Sequence, residues 1–421
     1  MVSLTRNLLE TERLFENIAA ELDISPTLYK LAVDRYTSIG SWLDEIDLIE
    51  VYEGSQDPIP AETIEANIYP QGSFAIGTVV KPWTAEGEGE YDIDLVFQLD
   101  LPKGTKQSRS LKVAVGNRLR EHGTYREMLK DEGKRCWTLE YAEQNGCQFH
   151  LDILPSLNGE CHSFNPYGDT QICISDKLGH QHYQWGTSNP RGFAKWFNDR
   201  NTIAFSRVAA YERQKAFAMD HALYATVQDV PDQMIRTPLQ RSVQILKRHR
   251  DVRFSGHPHE SSKPISMIIT TLAALAYKNE ENIPNALENI INRLLAYRSL
   301  LQGGRRSVPA EGLIQLSDEG KWIIPNPVCP EENFADKWHL DNHKRARAFF
   351  EWLEWLENDL NELAATHAPS RKNELIREQF GTRIASVVAP NAASGLVIHN
   401  ASRGDTTITE PSQPWRNGKV F

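Results

Sequence analysis

The pattern of apolar and polar positions changes twice along the chain. Over the first fifty residues, apolar side chains such as Leu8, Leu14 and Ile18 recur at helical spacing, which predicts helices over 3–22 and 25–50. The next segment, to about residue 200, carries short apolar runs and alternating positions that are typical of strands. Helical spacing then returns. The chain is therefore predicted to have an α+β fold, with strands mainly in its first half and helices in its second.

Cap and turn residues place several of these elements. Ser25-Pro26 is a helix start, with serine as the N-cap and proline at the first helical position. Asn145-Gly146 lies between two alternating runs, which predicts a hairpin. The hairpin strands are predicted over 135–141 and 149–155, and further helices over 108–122, 191–200, 238–249, 265–277, 282–301 and 340–365.

Two carboxylates share one face of a predicted strand. Side chains alternate along a strand, so Asp92 and Asp94 in the apolar run 91–97 point the same way. Adjacent carboxylates repel each other unless a cation lies between them, and oxygen ligands suit Mg²⁺ or Mn²⁺. Asp152 lies at the centre of a later apolar run and is a third candidate ligand. These residues predict a metal-dependent site for phosphoryl transfer.

A glycine-serine turn precedes this strand. Gly72 lets the backbone approach a phosphate closely, and Ser73 offers a hydroxyl and an amide at the start of a predicted short helix. A Gly-Ser pair alone is usually an ordinary turn, and an Asp-x-Asp sequence alone is usually an exposed edge. The combination favours a functional site, because apolar residues flank the aspartates and a buried carboxylate needs a partner. The acidic segment 84–90 between turn and strand is expected to be a solvated connection.

The order and spacing of these motifs resemble the DNA polymerase beta-like nucleotidyltransferase superfamily. More narrowly, the chain resembles the bacterial cGAS/DncV-like nucleotidyltransferases (CD-NTases), the cyclic oligonucleotide synthases of CBASS antiphage defence. The resemblance spans roughly residues 25 to 365. The segments that carry it are 71–74, 91–96, 150–155, 185–192, 239–251, 263–272, 326–327 and 332–338.

The resemblance implies an architecture of two lobes. The first is a polymerase-beta-like nucleotidyltransferase lobe over 1–200, with a mixed sheet, helices and the N-terminal helices. The second is an all-helical lobe over 201–383, similar to that of oligoadenylate synthase. Residues 384–421 contain few and scattered apolar residues, so they are predicted to form a mobile C-terminal tail.

The resemblance also implies an activity and the residues that perform it. ATP, with other nucleoside triphosphates as further candidate substrates, would be linked into a cyclic di- or trinucleotide with release of pyrophosphate. Mg²⁺ or Mn²⁺ would be the cofactor. Asp152 is a candidate acceptor of the hydroxyl proton. Lys247 and Ser266 match positions that contact the donor phosphates, although Ser261 and Ser262 are alternatives to Ser266, and Lys247 could be a solvated helix end. The implied nucleotide-binding residues are Gln71, Gly72, Ser73, Lys247 and Ser266, and the catalytic metal ligands are Asp92, Asp94 and Asp152.

Neighbouring residues have more open interpretations. His150 shares the strand face of Asp152 and is expected to be a packing or positioning residue rather than a catalytic one. Tyr183 and Trp185 are candidates for base stacking, with core packing as an equal alternative. A zinc site built from His150 and its cysteine neighbours is disfavoured, because the chain has no Cys-x₂-Cys pair. The residues of this disfavoured zinc site would be Cys147, His150, Cys161 and His162.

Composition limits the partners. The chain has 46 Lys and Arg against 56 Asp and Glu, a net charge of −10, so no extended nucleic-acid track is expected. The longest apolar run, 265–277, is too short to cross a bilayer. Five cysteines without regular spacing indicate reduced thiols, so a cytoplasmic location, without membrane association, is expected. A monomer is also expected.

Two other functions are alternatives to the synthesis of a cyclic nucleotide. The chain could add nucleotides to tRNA or to a protein, although its acidic composition argues against tRNA. It could also be a catalytically silent nucleotide-binding regulator, although the intact aspartates and Gly-Ser turn argue against silence. An effector that responds to the cyclic product is an expected partner. The C-terminal tail, which ends in Trp415 and Phe421, is a candidate binding segment for a companion protein, with an inert disordered end as the favoured alternative.

Overall fold

The structure, a computed structural model, describes residues 8–44, 66–81, 83–84, 87–103, 107–144, 147–159, 165–219, 235–303 and 308–394. The helices are α1 (Leu8–Leu22), α2 (Pro26–Asp44), α3 (Gly72–Ala75), α4 (Ser108–Glu121), α5 (Gly123–Met128), α6 (Pro190–Met219), α7 (Pro238–Phe254), α8 (Ser266–Ala276), α9 (Ile283–Leu295), α10 (Lys344–Ala365), α11 (Pro369–Phe380) and α12 (Thr382–Ser394). The strands are β1 (Ala66–Pro70), β2 (Trp83–Thr84), β3 (Gly87–Glu88), β4 (Tyr91–Pro102), β5 (Trp137–Gln144), β6 (Cys147–Asn158), β7 (Ile172–Lys177), β8 (Tyr183–Ser188), β9 (Gln315–Leu316), β10 (Trp322–Ile323), β11 (Pro325–Asn326) and β12 (Cys329–Asn333).

A mixed sheet organises the first half of the chain. The strand order is β1-β4-β6-β7-β8, and β5 pairs with the first part of β6. Strands β4 and β6 are parallel, whereas the other pairs of this sheet are antiparallel. The parallel register places Asp94 opposite Asp152 and Asp92 opposite His150. The aspartates predicted from two separate apolar runs therefore lie on neighbouring strands.

One face of this sheet is covered by α2 and α4. The alternate residues of β4 that point away from the aspartates, Ile93, Leu95 and Phe97, are buried in this core. Helix α4 packs closely, because a Cβ on Gly116 would lie 2.3 Å from the Trp137 ring of β5. The buried face fixes the strands, so the opposite face presents the carboxylates toward the second lobe.

The second core is helical, and it includes residues on both sides of the predicted range 201–383. Helix α1 packs its apolar stripe, including Phe15 and Ile18, into the core formed by α6 to α12. The first-lobe prediction is therefore wrong for α1. The boundary at residue 200 falls inside α6, whose Phe197 belongs to the helical core. This lobe also holds the small antiparallel pairs β9–β10 and β11–β12, which the prediction of helices alone missed.

The prediction that a mobile tail begins at residue 384 is wrong. Helix α12 covers residues 384–394, and Ile384, Ala385 and Val388 are fully buried in the helical core. These apolar residues are few, but their helical spacing allows all three to join one core. Residues 395–421 lie outside the described residues. They include Trp415 and Phe421, at the end of the segment predicted to bind a companion protein.

Several local predictions are confirmed. The helix predicted over 108–122 is α4, and the predicted hairpin is β5–β6. Ser25 caps α2, because its Oγ accepts a hydrogen bond from the Leu28 amide at 3.2 Å. Thr237 and Gln240 form a capping box at the start of α7. None of the helices in the described ranges is long and apolar enough to span a membrane.

Candidate active site

The Gly-Ser turn is built onto the strand that carries the aspartates. The Gln71 amide donates a hydrogen bond to the Asp94 carbonyl at 2.8 Å. Gly72 has a φ of 60°, and a Cβ there would lie 2.6 Å from Asp94 Oδ2. Helix α3 is only a single turn, so its dipole adds little to phosphate binding. The turn can instead offer backbone amides and the Ser73 hydroxyl.

The three predicted carboxylates lie on one sheet face and repel one another. The Asp94 carboxyl is partly buried, and burial, followed by the charges of Asp152 and Asp92, raises its pKa to about 7. The Asp92 side chain is 68% exposed and can turn toward a ligand. A cation between these groups would relieve the repulsion and restore the charged form of Asp94.

Asp152 has a partner that the sequence analysis missed. Thr138 of β5 pairs in register with Asp152, and its Oγ1 donates a hydrogen bond of 2.5 Å to Asp152 Oδ1. This contact orients the carboxylate and leaves Oδ2 available for a ligand or a proton. The hairpin register was the signal that could have identified Thr138, because it aligns the two positions.

His150 lies on β6, opposite Asp92, and three acidic side chains surround it. Its Nε2 is 2.5 Å from Glu90 Oε2 and 3.4 Å from Glu140 Oε1, and its Nδ1 is 3.7 Å from Asp92 Oδ1. These contacts agree with the prediction of a positioning residue. Its role in catalysis stays a prediction.

The donor set fits a hard divalent cation that arrives with a substrate. Within the described ranges, no three His, Cys, Asp or Glu side chains are arranged as a ready metal centre. Mg²⁺ seldom needs such a cage, because it is usually held by one or two carboxylates together with substrate phosphates. Asp92, Asp94 and Asp152 supply only oxygen ligands, as Mg²⁺ and Mn²⁺ prefer.

The disfavoured zinc set falls partly outside the described residues. Cys161 and His162 lie outside the described residues. Of the cysteines that the structure describes, Cys136, Cys173 and Cys329 are free thiols. Burial raises the pKa of Cys136 to about 12, so this thiol stays protonated at neutral pH.

A cavity of about 230 Å³ brings together residues that are distant in sequence. The predicted residues Ser73, Asp92, Lys247 and Ser266 all line it, from the turn, β4, α7 and α8. Arg250 and Lys263 were not among the site residues predicted from sequence. For Arg250 a signal was available, because it lies three residues after Lys247 and therefore on the same face of the helix. The lining residues are Ser73, Val80, Asp92, Lys247, Arg250, Asp251, Lys263 and Ser266.

Lys247 is a buried cation rather than a solvated helix end. Its side chain is 4% exposed, and its Nζ donates to the carbonyl and hydroxyl oxygens of Thr78, both at 3.2 Å. Burial, followed by the neighbouring Arg250, lowers the pKa of Lys247 to about 7. A triphosphate beside Lys247 would favour its charged form, so this environment suits an anion.

The structure distinguishes the three candidate serines by position. Ser266 begins α8, and its Oγ accepts a hydrogen bond of 3.0 Å from Arg250 Nη1. Asp251 in turn holds Arg250, at 2.7 Å. Ser261 and Ser262 lie in the short 3₁₀ turn before α8 and do not line the cavity.

A second cavity of about 250 Å³ lies on the other side of Asp94, between the lobes. Gln71 and Gly72 line this cavity, so the predicted turn contacts both spaces. Tyr183 and Trp185 line neither cavity. Tyr183 instead donates a hydrogen bond to Glu132, and Trp185 packs against the sheet core. The polar and aromatic residues that the second lobe contributes to this cavity are Phe193, Asn326, Glu332 and Phe334.

Comparison with known proteins gives consistent matches. A family profile described as the nucleotidyltransferase domain of cyclic GMP-AMP synthase DncV-like proteins matches residues 66–155. A c-di-GMP synthase of Roseivirga ehrenbergii is 31% identical over 363 residues, which cover 86% of this chain and 81% of that protein. These two matches include the strands that carry the three aspartates.

Solved structures share the fold. The CD-NTase CdnG of Bradyrhizobium diazoefficiens, in complex with GTP, aligns with a TM-score of 0.62 at 22% identity and covers 91% of this chain and 99% of its own. The CdnC:HORMA-deltaN complex of Escherichia coli MS115-1 aligns with a TM-score of 0.54 at 13% identity, over 88% of this chain and 97% of its own. The predicted α+β fold is confirmed.

The family assignment rests on the extent of the sequence match as well as on the fold. The c-di-GMP synthase shares nearly a third of the aligned residues across both lobes, and the profile covers the candidate active site. This chain therefore belongs to the cGAS/DncV-like nucleotidyltransferases, the CD-NTases, and is a nucleotidyltransferase.

Proposed function

We propose that this enzyme joins two nucleoside triphosphates into a cyclic dinucleotide and releases pyrophosphate at each step. The observation that carries the proposal is the cavity in which Ser73, Asp92 and Lys247 meet. It combines a carboxylate for metal, a hydroxyl for phosphate and a buried cation. The named relatives support a dinucleotide over a trinucleotide, and they make GTP the first substrate to test, because one is a c-di-GMP synthase and another binds GTP.

The donor triphosphate would lie in the cavity between the turn and the second lobe. The backbone at Gly72 and the hydroxyl of Ser73 would hold phosphate oxygens from one side. Lys247 and Ser266 would hold them from the other, with Ser266 presenting its hydroxyl and amide at the start of α8. Because these groups come from both lobes, binding would fix the donor across the cleft.

The carboxylates would hold Mg²⁺ or Mn²⁺ through Asp92, Asp94 and Asp152. When bound, the metal supplies charge neutralisation for the phosphates and for the attacking oxygen. Asp94 is half-charged near neutral pH without a cation, so metal and substrate would bind best to its deprotonated form.

Asp152 would receive the proton of the attacking ribose hydroxyl. Its Oδ1 is held by Thr138, which leaves Oδ2 to accept the proton. The hydroxyl oxygen would form a bond to the α-phosphorus of the donor, while the bond from that phosphorus to pyrophosphate breaks. A second round on the linear intermediate would close the ring and release the second pyrophosphate.

The wider role follows from the family. We propose that the cyclic product activates a separate effector in bacterial antiphage defence, and that a companion protein engages the C-terminal segment. The likeness to CdnC, whose structure was solved with a HORMA protein, supports a companion but does not specify which one. The net charge of −10 is consistent with nucleotide substrates rather than with a nucleic-acid polymer.

The decisive experiment incubates the purified enzyme with labelled ATP, GTP, CTP and UTP and with Mg²⁺ or Mn²⁺, followed by phosphatase and mass analysis. Phosphatase-resistant label with the mass of a cyclic dinucleotide supports the proposal. Asp92→Asn should remove this product, because it removes a charge that would hold the metal. Asp100→Asn is the matched control, because Asp100 is an exposed residue on the same strand face. Labelled RNA or protein would instead favour transfer to a polymer, and no transfer at all would favour a silent regulator.

A further inference from the structure

Glu88, a half-buried carboxylate of β3, joins the segment that leads into β4 to helices α7 and α12. Glu88 Oε1 accepts hydrogen bonds from Arg248 Nη2 at 2.7 Å and from Arg383 Nε at 2.9 Å, and Lys81 lies 3.8 Å from Glu88 Oε2. These four residues are named the Glu88 junction. Its carboxylate side chain is 16% exposed, so the expectation of a wholly solvated connection over 84–90 is wrong at Glu88.

Arg383 connects three parts of the chain at the junction. Besides Glu88, it donates hydrogen bonds to Glu21 of α1, to the side chain at 2.9 Å and to the carbonyl at 2.5 Å. Beside it, Gly381 links α11 to α12 with a φ of 97°, and a Cβ there would lie 2.6 Å from the Trp83 ring of β2. The α11–α12 connection therefore contacts both strands of the β2–β3 hairpin.

The Glu88 junction lies close to two of the proposed active-site residues, Asp92 and Lys247. Along the chain, Glu88 is followed by Glu90, which pairs with His150, and His150 in turn approaches Asp92. Across the junction, Arg248 is the neighbour of Lys247 on α7. This half-buried carboxylate therefore holds the helix that presents a phosphate ligand and lies four residues before the metal ligand Asp92.

We propose that Glu88 and Arg383 are positioning residues for the nucleotidyl transfer reaction, which couple helix α12 to Asp92 through the start of β4. The inference rests on the proposed function of the site. The connection runs from the ion pair of Arg383 and Glu88 along residues 88–92 to Asp92.

The test compares Arg383→Gln and Glu88→Gln with the parent enzyme. Both variants should lower kcat about tenfold, because carboxylate alignment is disturbed. Arg383→Gln should also leave the KM for GTP within about twofold, because Glu88 still holds Arg248 beside Lys247. In metal-free protein, amide hydrogen exchange over 87–92 should rise. Mn²⁺ binding followed by electron paramagnetic resonance, without nucleotide, should weaken several-fold. Arg383→Lys, which keeps a cation beside Glu88, should recover part of each loss.

Two controls separate positioning from general destabilisation. Glu21→Gln removes the ion pair of Arg383 with α1 but keeps its bond to Glu88, and Arg371→Gln removes a surface cluster on α11. Both should match the parent in exchange over 87–92. Parent-like exchange and kcat in Arg383→Gln would overturn the proposal, as would an equal loss in Glu21→Gln. If the parent makes no cyclic product, the proposed function fails, and the exchange and Mn²⁺ readouts still decide the coupling.

Discussion

Gly72 and Asp94 are in such close contact that no other residue fits at position 72 without a shift of the carboxylate. A Cβ there would lie 2.6 Å from Asp94 Oδ2, and the backbone φ of 60° is itself unfavourable for a side chain. The Gly-Ser turn and the carboxylate pair, which the sequence suggests as two motifs, therefore form one packed unit.

Gly72→Ala should abolish detectable synthesis and destabilise the fold by about 1–3 kcal/mol. The methyl group displaces the Asp94 carboxylate and strains the turn. The matched control is Gly256→Ala, since Gly256 has a similar φ of 71° but a Cβ added there would meet no atom within 4 Å. Chemical denaturation should show similar backbone strain in both variants, whereas only Gly72→Ala should lose activity. Near-parent turnover in Gly72→Ala would contradict the packed unit.

Some of this site follows from sequence and some does not. The shared face of Asp92 and Asp94 follows from strand alternation alone. The partnership of Asp94 with Asp152 depends on a parallel register, which local pattern does not encode. Lys247 meets Ser73 only because α7 packs beside the turn, and this tertiary contact also buries the lysine.

The same limit explains the errors in the fold. The stripe of α1 predicts an apolar face but not the core that it joins, and α1 in fact packs with the helical lobe. Charge alone suggests that Glu88 is solvated, yet two arginines from distant segments bind it and leave it only half-buried. Local composition predicts which residues pack or ionise, whereas their partners depend on the topology.

Asp94→Asn should remove activity and stabilise the metal-free protein. The folded pKa of about 7 lies above the ordinary value of 3.8, so the folded protein retains a proton that the unfolded chain releases between these pH values. The contribution of Asp94 to stability is therefore lost as pH rises from about 4 to about 7. With EDTA present, Asp94→Asn should exceed the parent by about 1–3 kcal/mol at pH 8 and by much less at pH 4.5.

Urea denaturation across this pH range, with and without Mg²⁺, checks the expectation. Asp100→Asn serves as the control, because Asp100 is exposed on the same strand. A stability difference between Asp94→Asn and the parent that does not vary with pH would show that neither burial nor the neighbouring carboxylates raise the pKa of Asp94 in the folded protein.

Lys247→Met and Ser73→Ala should each weaken nucleotide use by about 1–3 kcal/mol, the scale of a hydrogen bond to a charged group. For Lys247→Met the loss should fall mainly on triphosphate affinity, since the side chain is held beside the turn by Thr78. Fluorescence titration with a non-hydrolysable GTP analogue measures this affinity. Lys195→Met, on the exposed surface of α6, should bind like the parent. Unchanged affinity in Lys247→Met would remove this residue from the phosphate site.

Thr138→Val should reduce kcat about tenfold, the effect of losing one hydrogen bond that orients a catalytic carboxylate. The substitution keeps the shape of the side chain but removes the donor to Asp152 Oδ1. Thr138→Ser restores that donor and should recover most of the rate, which steady-state kinetics at saturating Mg²⁺ would measure. Equal losses in the valine and serine variants would indicate that packing at β5, and not the hydrogen bond, is responsible.

Truncation separates the C-terminal helix from the residues beyond it. Removal of residues 395–421 should leave basal synthesis within a few-fold, because α12 and Arg383 stay in place. Removal from residue 384 onward should instead destabilise the fold by roughly 3–6 kcal/mol, because it deletes the buried side chains of Ile384 and Val388. Thermal unfolding and the synthesis assay, run on both truncations, distinguish these effects. If removal of residues 395–421 alone also abolished basal activity, these residues would contribute directly to the catalytic lobes. Their role would then not be limited to binding a companion protein.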